Sequence, residues 1–221
     1  MAEAAADRIP VFLASRNAKK LEEMRRILGE ALVDAGGPGI EVLGLDDVAH
    51  YDEPVEDEAT FEGNALLKAR AGLAATGLPS LADDSGLCVD ALNGMPGVLS
   101  ARWSGRPPPG EEHAVDDRNN TLLLDQLNDV PDERRTAEFR CVVAFCHPGG
   151  EERTAPGVMR GRVIREPRGE GGFGYDVVFV PEEQTEELTS AEMTAGLKDQ
   201  ISHRGRSLRT IAPEVVALLR S

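Results

Sequence analysis

Apolar residues recur along this chain at two spacings, which together predict alternating strands and helices. Short apolar runs, such as residues 11–14 and 81–82, are typical of buried strands. The first run is followed by apolar residues at helical spacing, namely Leu21, Met24, Leu28 and Leu32. The second run leads into Asp83-Asp84-Ser85-Gly86, which combines residues typical of a turn. We therefore expect a strand to end at Ala82.

Capping and breaking residues predict where the later elements begin and end. Thr60 is expected to cap a helix that runs to about Ala75, because a threonine hydroxyl accepts from the first helical turn. Pro213 is expected to kink or restart the C-terminal helical region, which begins at Thr194. The remaining expectations are an acidic loop at 52–58, an Asn93-Gly94 tight turn, a helix at 119–127 after a loop, and strands at 41–45, 136–145, 152–164 and 177–180.

This order predicts an α/β fold with a mixed β-sheet flanked by helices. A chain of 221 residues fits one domain, residues 1–221, and residues 1–9 are expected to form a flexible N-terminal extension. No apolar run approaches the ~20 residues that cross a bilayer, so we expect no membrane partner. Three cysteines without a CxxC pair indicate reduced thiols, and the expected location is cytoplasmic.

The formal net charge of −15 argues against nucleic acid as the main partner, since a duplex binder needs a basic face. An acidic protein can still bind a small polyanion where lysines and arginines gather at one site. One such segment is Ser15-x-Asn17-x-x-Lys20, where a strand turns into a helix whose N-terminal N–H groups attract phosphate. The alternative is that Ser15 and Asn17 only cap the helix.

Carboxylates near two lysines form the second group of candidates. Asn64 and Lys68 are four residues apart and share a helix face, and Glu56 precedes them. Asp83 and Asp84 are adjacent, and Mg²⁺ is usually held by one or two carboxylates together with phosphates. The alternatives are a solvated helix and ordinary turn chemistry, although adjacent like charges favour a cationic neighbour.

Two further segments could bind a flat, polar ligand. In residues 171–176 (Gly-Gly-Phe-Gly-Tyr-Asp), glycines let backbone approach a ring on which Phe173 could stack, with Asp176 accepting a ring N–H. Residues 198–206 place a lysine, a histidine and arginines around a helix start, where they could donate to a carbonyl or phosphate oxygen. The alternatives are a glycine-rich hairpin with a core aromatic and a solvated basic face.

The order of these segments resembles the Ham1/RdgB family of inosine triphosphate pyrophosphatases. The resemblance rests on residues 15–20, 60–69 (TFEGNALLKA), 82–86 (ADDSG), 97–105 (GVLSARWSG), 171–176 and 202–205 (SHRG), and spans residues 11–219. It implies a long mixed sheet in two lobes with a central nucleotide cleft, usually in a homodimer. It also implies Mg²⁺-dependent hydrolysis of ITP, dITP and XTP to the monophosphate and pyrophosphate, which cleanses the nucleotide pool.

Site roles follow from the same resemblance. It implies that Asp84 is the general base and that Glu56 and Asp84 hold the metal, although Glu56-Asp57-Glu58 replaces the family's usual Glu-Thr-Gly and leaves three candidate ligands. Val177 stands where the family commonly has proline. The implied substrate-binding residues are Ser15, Arg16, Asn17, Ala18, Lys19, Lys20, Lys68, Ser85, Phe173, Gly174, Tyr175, Asp176, Lys198, His203 and Arg204.

Three other functions stay open at this point. A related pyrophosphatase could act on ordinary or modified pyrimidine triphosphates. A non-catalytic sensor could bind a nucleotide without changing it, but phosphate binding alone gains nothing from adjacent aspartates. An RNA-binding domain could use Phe173 and the late basic segment, against which the overall acidity argues.

Overall fold

The computed structural model describes residues 8–36, 39–107, 110 and 114–220. The expected N-terminal extension lies outside the described residues as far as residue 7, and Ile9 already belongs to a strand. The strands are β1 (Ile9–Leu13), β2 (Ile40–Leu43), β3 (Ser80–Val89), β4 (Thr136–Cys146), β5 (Glu152–Val163) and β6 (Phe179–Pro181). The helices are α1 (Ala18–Asp34), α2 (Phe61–Thr76), α3 (Val115–Gln126), α4 (Ala195–Ile201) and α5 (His203–Leu219).

The six strands form one mixed sheet in the order β2-β1-β3-β4-β5-β6. Strand β1 pairs in parallel with β2 and with β3, whereas β5 and β6 are antiparallel. The α/β class expected from the sequence is therefore confirmed. Among the described residues, no helix combines the length and the apolar character that crossing a membrane requires.

The described chain forms two compact units that share three strands. Unit 1 is drawn from residues 1–84, 141–157 and 204–221, and unit 2 from residues 85–140 and 158–203. Strands β3, β4 and β5 each pass from one unit into the other.

Unit 1 has a hydrophobic cluster on each face of its part of the sheet. Leu81 of β3 belongs to a cluster with residues of α1 and α5, such as Met24 and Leu208. The next residue, Ala82, belongs to a separate cluster with Ala65 and Ala69 of α2. Because successive side chains of a strand point to opposite faces, α1 and α5 cover one face and α2 covers the other. Unit 2 has its own cluster, which includes Leu87, Leu123, Phe139, Met159 and Phe179.

Several predicted boundaries are confirmed. Asn17 caps α1 by accepting from the Lys20 N–H at 3.1 Å, and Thr60 caps α2 by accepting from the Gly63 N–H at 3.0 Å. Asn93 and Gly94 both have positive φ, as the predicted tight turn requires. The long strands predicted at 136–145 and 152–164 are β4 and β5.

Four predictions are wrong. Residues 83–86 are not a turn but the middle of β3, since each aspartate finds a cationic partner on its own face of the sheet. Helix α3 begins at Val115 rather than at 119, and β6 begins at Phe179 after a 3₁₀ turn at Gly174–Val178. The C-terminal helices separate at Ser202, and Pro213 does not restart a helix, since it lies inside α5 between the buried residues Ala212 and Val215. Packing on both sides of Pro213 compensates for its missing hydrogen bond.

Candidate active site

The predicted phosphate-binding segment lies at the start of α1 in unit 1. Ser15 and Asn17 lie in the short connection between β1 and α1, so the N–H groups of the first turn of α1 are presented there. Arg16 extends to the acidic loop, where its Nε lies 2.9 Å from Glu53 Oε2. A pocket of about 520 Å³ in the same unit is lined by Ser15, Arg16, Ala18, Leu21, Leu45, Asp46, Val48, His50 and Tyr51.

Asp83 lies on the α1 and α5 face of β3 and belongs to a buried ionic network. Its Oδ2 lies 3.3 Å from Lys20 Nζ and 3.1 Å from Arg204 Nε. Arg204 Nη1 lies 2.7 Å from Glu23 Oε2, and the arginine side chain is only 1 % exposed. The two carboxylates therefore hold the guanidinium inside unit 1, and Asp83 also positions the ammonium of Lys20.

Asp84 lies on the opposite face of β3, where α2 covers the sheet. Asn64 donates from Nδ2 to Asp84 Oδ2 at 3.0 Å, and Lys68 Nζ lies 3.5 Å from Asp84 Oδ1. The same ammonium donates to Glu56 Oε1 at 2.8 Å. Asn64 and Lys68 reach one carboxylate because residues four apart share a face of a helix. Glu56 and Asp84 therefore converge on a single cationic centre.

The two aspartates differ in acidity because their surroundings differ. Burial alone would raise the pKa of Asp83, but Lys20 and Arg204 outweigh it and lower that pKa well below its usual range. Burial raises the pKa of Asp84, and the opposing effects of Lys68 and the Asn64 hydrogen bond do not cancel it. Burial would lower the pKa of Lys68, but Asp83, Asp84 and Glu56 raise it. Asp83 is thus a fixed anion, and Asp84 is the better proton acceptor.

The predicted base-binding segment lies in unit 2 and is tightly folded on itself. Asp176 Oδ2 accepts from the Phe173 N–H at 2.9 Å and from Lys198 Nζ at 2.7 Å. Lys198 Nζ also lies 5.3 Å from the centroid of the Phe173 ring, within cation–π distance. The Tyr175 hydroxyl donates to the Ser100 carbonyl at 2.9 Å. The segment therefore presents a half-buried ring beside a buried ion pair.

Glycine is required within this segment at two positions. Gly172 and Gly174 have φ of +71° and +61°, a region that disfavours residues with a side chain. A Cβ on Gly172 would also lie 2.2 Å from Asp176 Oδ2. The close approach of the Asp176 carboxylate to the backbone thus depends on Gly172.

The remaining predicted residues divide between the units. His203 belongs to unit 2, where its imidazole stacks on Phe139 with ring centroids 4.9 Å apart. Ser85 belongs to unit 2, while Arg204 belongs to unit 1 with the predicted phosphate-binding and carboxylate residues. Among the described residues, no three His, Cys, Asp or Glu side chains form a group that could hold a metal by themselves.

The sequence interpretation missed Glu23, Asp116 and Asn120. Glu23 lies beside Met24 on the buried side of α1, and a carboxylate at such a position signals a buried cationic partner. Asp116 Oδ2 and Asn120 Nδ2 bond to the two backbone groups of Gly174, at 2.7 Å and 2.9 Å. The late start assigned to α3 concealed that Asp116 and Asn120 share a helix face.

Comparison with known proteins identifies the family. The family model described as the Ham1 family matches residues 11–214. This chain belongs to the Ham1 family. Its Ham1-family relatives include a dITP/XTP pyrophosphatase of Nocardia farcinica, 58 % identical over 94 % of this chain and 95 % of the relative. A dITP/XTP pyrophosphatase of Cutibacterium acnes is 54 % identical over 95 % of this chain and 97 % of the relative.

Solved structures agree with the family assignment and confirm the fold. A crystal structure of a nucleoside-triphosphatase / dITP/XTP pyrophosphatase from Mycobacterium abscessus matches with a TM-score of 0.70 and 49 % identity, covering 93 % of this chain and 100 % of that one. The Ham1 protein of Staphylococcus aureus matches with a TM-score of 0.76 and 31 % identity, covering 93 % and 97 %. The mixed sheet with flanking helices is therefore a Ham1-family fold.

Proposed function

We propose that this protein hydrolyses non-canonical purine nucleoside triphosphates, namely ITP, dITP and XTP, to the monophosphate and pyrophosphate, and so cleanses the nucleotide pool. The names of its full-length relatives support this activity. The observation that carries the proposal is the meeting of Lys20 and Lys68 with Asp83 and Asp84 in unit 1. Two adjacent carboxylates, each paired with a lysine on its own face of β3, suit a metal-bound polyphosphate, whereas a site for phosphate alone would exclude the carboxylates.

The chemistry of the donor set fits a magnesium ion. Glu56 and Asp84 supply hard oxygen ligands and already converge on one cation, the ammonium of Lys68. Two carboxylates are enough, since Mg²⁺ keeps several waters and completes its shell with substrate phosphates. In this proposal Glu56 and Asp84 hold Mg²⁺, which when bound neutralises phosphate charge and polarises the scissile bond.

Residues of unit 1 perform the phosphate chemistry in this proposal. The N-terminal turn of α1, residues Ser15 to Lys20, binds phosphate oxygens through N–H groups and the Lys20 ammonium. Asp84, oriented by the Asn64 amide, accepts a proton from the attacking water. Lys68 stabilises negative charge on the departing pyrophosphate. Asp83 keeps Lys20 in place, and Arg204 and Glu23 keep Asp83 in place.

Residues of unit 2 recognise the base. Phe173 stacks on the purine, which contributes ~1–3 kcal/mol regardless of base identity. Lys198 and His203 are candidate donors to the six-carbonyl of hypoxanthine and xanthine, and Asp176 holds Lys198 in place. Adenine has an amino group at this position and would leave such donors unpaired. A polar site can reject a substrate that lacks its hydrogen-bond partner by a factor of ~10⁴–10⁵.

Assay of products from ITP tests the proposal. We expect inosine monophosphate and pyrophosphate in the presence of Mg²⁺, and loss of activity with EDTA that Mg²⁺ restores. Substitution of Asp84 by Asn should lower kcat by ~10²–10⁴ while the melting temperature stays near that of wild type, because a general base is lost and the fold is kept. Unchanged ITP would favour a sensor, and a near-wild-type rate for Asp84→Asn would remove Asp84 from the mechanism.

A substrate panel separates the related activities. Turnover of ITP and XTP should exceed that of ATP and GTP, whereas a preference for pyrimidine triphosphates would favour a different pyrophosphatase. The cytoplasmic location belongs to the same proposal, and so does the homodimer, which light scattering would detect as twice the chain mass of 23.7 kDa.

A further inference from the structure

Both peptide groups of Gly174 are held by side chains from one face of α3. The Gly174 N–H donates to Asp116 Oδ2 at 2.7 Å, and the Gly174 carbonyl accepts from Asn120 Nδ2 at 2.9 Å. Asp116 and Asn120 are separated by one helical turn, so a single rigid element provides both contacts.

The Asn120 amide has only one orientation that satisfies its neighbours. Its Nδ2 donates to the Asp116 carbonyl at 2.9 Å as well as to Gly174, so both amide hydrogens meet carbonyl oxygens. The flipped amide would place Oδ1 against two acceptors, which is unfavourable for a side chain that is 4 % exposed. The donor to Gly174 is therefore fixed by the fold itself.

Gly174 connects the two groups assigned to base recognition. Phe173 precedes it, and the Phe173 N–H and Lys198 Nζ both bind the Asp176 carboxylate that follows. Glycine at positive φ has unusual conformational freedom, so without external contacts this backbone would sample many conformations. The contacts to α3 remove that freedom.

We propose that Asp116 and Asn120 are positioning residues that clamp Gly174 and thereby fix the Phe173 ring and the Asp176 carboxylate for binding of the purine. The proposal rests on the proposed function and extends it to two residues that touch no reacting atom. It concerns the base only, so phosphate binding and the chemical step stay unaffected.

Substitution of Asp116 is the decisive test, with matched variants on the same turn. Asp116→Ala should raise KM for ITP about 10-fold and leave kcat within about 2-fold of wild type. The lost hydrogen bond to a charged group weakens binding of the substrate and of the transition state equally. Asp116→Asn keeps an acceptor oxygen and should stay within about 3-fold of wild type. Asp117→Ala removes the same charge from the exposed neighbour and should leave KM unchanged.

A ligand without a base separates positioning from general damage. Ribose 5-triphosphate keeps the sugar and phosphates, so its inhibition constant against ITP hydrolysis should be the same for wild type and Asp116→Ala. Asn120→Leu should likewise weaken binding of ITP and leave the inhibition constant of ribose 5-triphosphate unchanged. The melting temperature of this variant is measured alongside. An equal loss of affinity for both ligands, or a KM for Asp116→Ala within about 2-fold of wild type, would overturn the clamp.

Amide hydrogen exchange keeps this result distinct from the proposed function. The Gly174 amide should exchange faster in Asp116→Ala than in wild type and in Asp117→Ala, whether or not ITP is a substrate. Wild-type protein that leaves ITP intact would defeat the proposed function while the exchange still decides the clamp. Equal exchange in all three proteins would defeat the clamp alone.

Discussion

Asp83 and Asp84 are neighbours on β3 whose carboxylates lie on opposite faces of the sheet. One belongs to the network with Lys20, Arg204 and Glu23, and the other meets Asn64 and Lys68. The strand separates the two like charges and gives each its own cations. In the proposed mechanism, the alternation of a β-strand thereby divides two tasks, positioning and proton transfer, between adjacent residues.

Stability at acid pH should depend on Asp83. Its pKa is lower in the folded protein than the ordinary 3.8, so its ionised form contributes stability that is present above about pH 4 and lost as pH falls through the folded pKa. At pH 7, Asp83→Asn should lower the free energy of unfolding by about 3–5 kcal/mol, because Arg204 loses a buried partner.

Urea unfolding of wild type and Asp83→Asn from pH 7 to pH 2.5 measures this effect. The difference in unfolding free energy should narrow below pH 4, where the unfolded chain takes up a proton at Asp83 while the folded protein keeps that carboxylate ionised. Asp57→Asn serves as the control, since Asp57 is exposed and should change stability little. A difference that is constant with pH would show that ionisation of Asp83 contributes nothing.

Gly172 should be required for base binding beyond its backbone conformation. Gly172 and Gly77 have nearly the same φ, +71° and +70°. A Cβ added at Gly172 would lie 2.2 Å from Asp176 Oδ2, whereas a Cβ added at Gly77 would have no atom within 4 Å. Both alanine variants should lose about 1–2 kcal/mol of stability from the left-handed conformation. Only Gly172→Ala should also weaken ITP binding, measured by calorimetry. Equal affinities of the two variants for ITP would contradict this assignment.

At the scale of elements, the sequence correctly predicts the helices and strands whose ends are set by neighbouring residues. Thr60 and Asn17 cap helices where expected, because a cap depends on a contact between residues only three positions apart. The strand through Asp83 and Asp84 was missed, because its stability depends on Lys20, Arg204 and Lys68, which lie far away in the chain. The restart predicted at Pro213 is wrong for a related reason, since the packing of α5 outweighs a local break.

The same distinction explains the site predictions. Motif residues such as Lys68 and Phe173 carry their signal in short segments, whereas Glu23 and Asp116 act through partners 181 and 58 residues away. No local pattern identifies such a contact. A buried carboxylate on an apolar helix face, as at Glu23, is the one hint that the sequence offers.

Arg135 joins two elements of unit 2 through backbone carbonyls. It donates to the Leu127 carbonyl at 2.6 Å, beyond the end of α3, and to the Val163 and Ile164 carbonyls at 2.9 Å and 3.0 Å, at the end of β5. Burial lowers the pKa of Arg135 from its ordinary value, and nearby Arg165 lowers it further. The guanidinium thus links a helix end to a strand end through hydrogen bonds to their backbone carbonyls.

Removal of this connection should be costly. Arg135→Ala leaves three carbonyls without their donor, and each unsatisfied group costs at most about 1–3 kcal/mol. The substitution should therefore lower the free energy of unfolding by about 3–5 kcal/mol. Arg165→Ala is the matched control, because Arg165 is half exposed and binds the carbonyls of Asn128 and Val130 and the carboxylate of Asp132. Its loss should cost about 1 kcal/mol or less. Similar losses for both variants in chemical unfolding would refute the comparison.

At the scale of the whole molecule, all three cysteines are reduced and buried. Cys88, Cys141 and Cys146 are 7 %, 1 % and 1 % exposed. Burial raises the pKa of Cys141 to about 12 and that of Cys146 to about 11, with nearby Asp83 and Glu152 adding to the effect. Such thiols form little thiolate at neutral pH and react slowly.

Thiol titration should therefore report on the whole fold. A disulfide-forming chromogenic reagent should react with fewer than one thiol per folded chain within minutes at pH 8, and with three after unfolding in guanidinium. Binding of ITP should slow the reaction further, because a ligand of the folded state suppresses opening. Rapid reaction of one thiol in the folded protein would show that its cover opens locally.

The chain passes between its two units four times, at residues 84/85, 140/141, 157/158 and 203/204. No continuous fragment therefore holds one unit alone, since the shortest fragment that contains all of unit 2, residues 85–203, also contains residues 141–157 of unit 1. Exchange of one continuous gene segment cannot transfer either unit without part of the other.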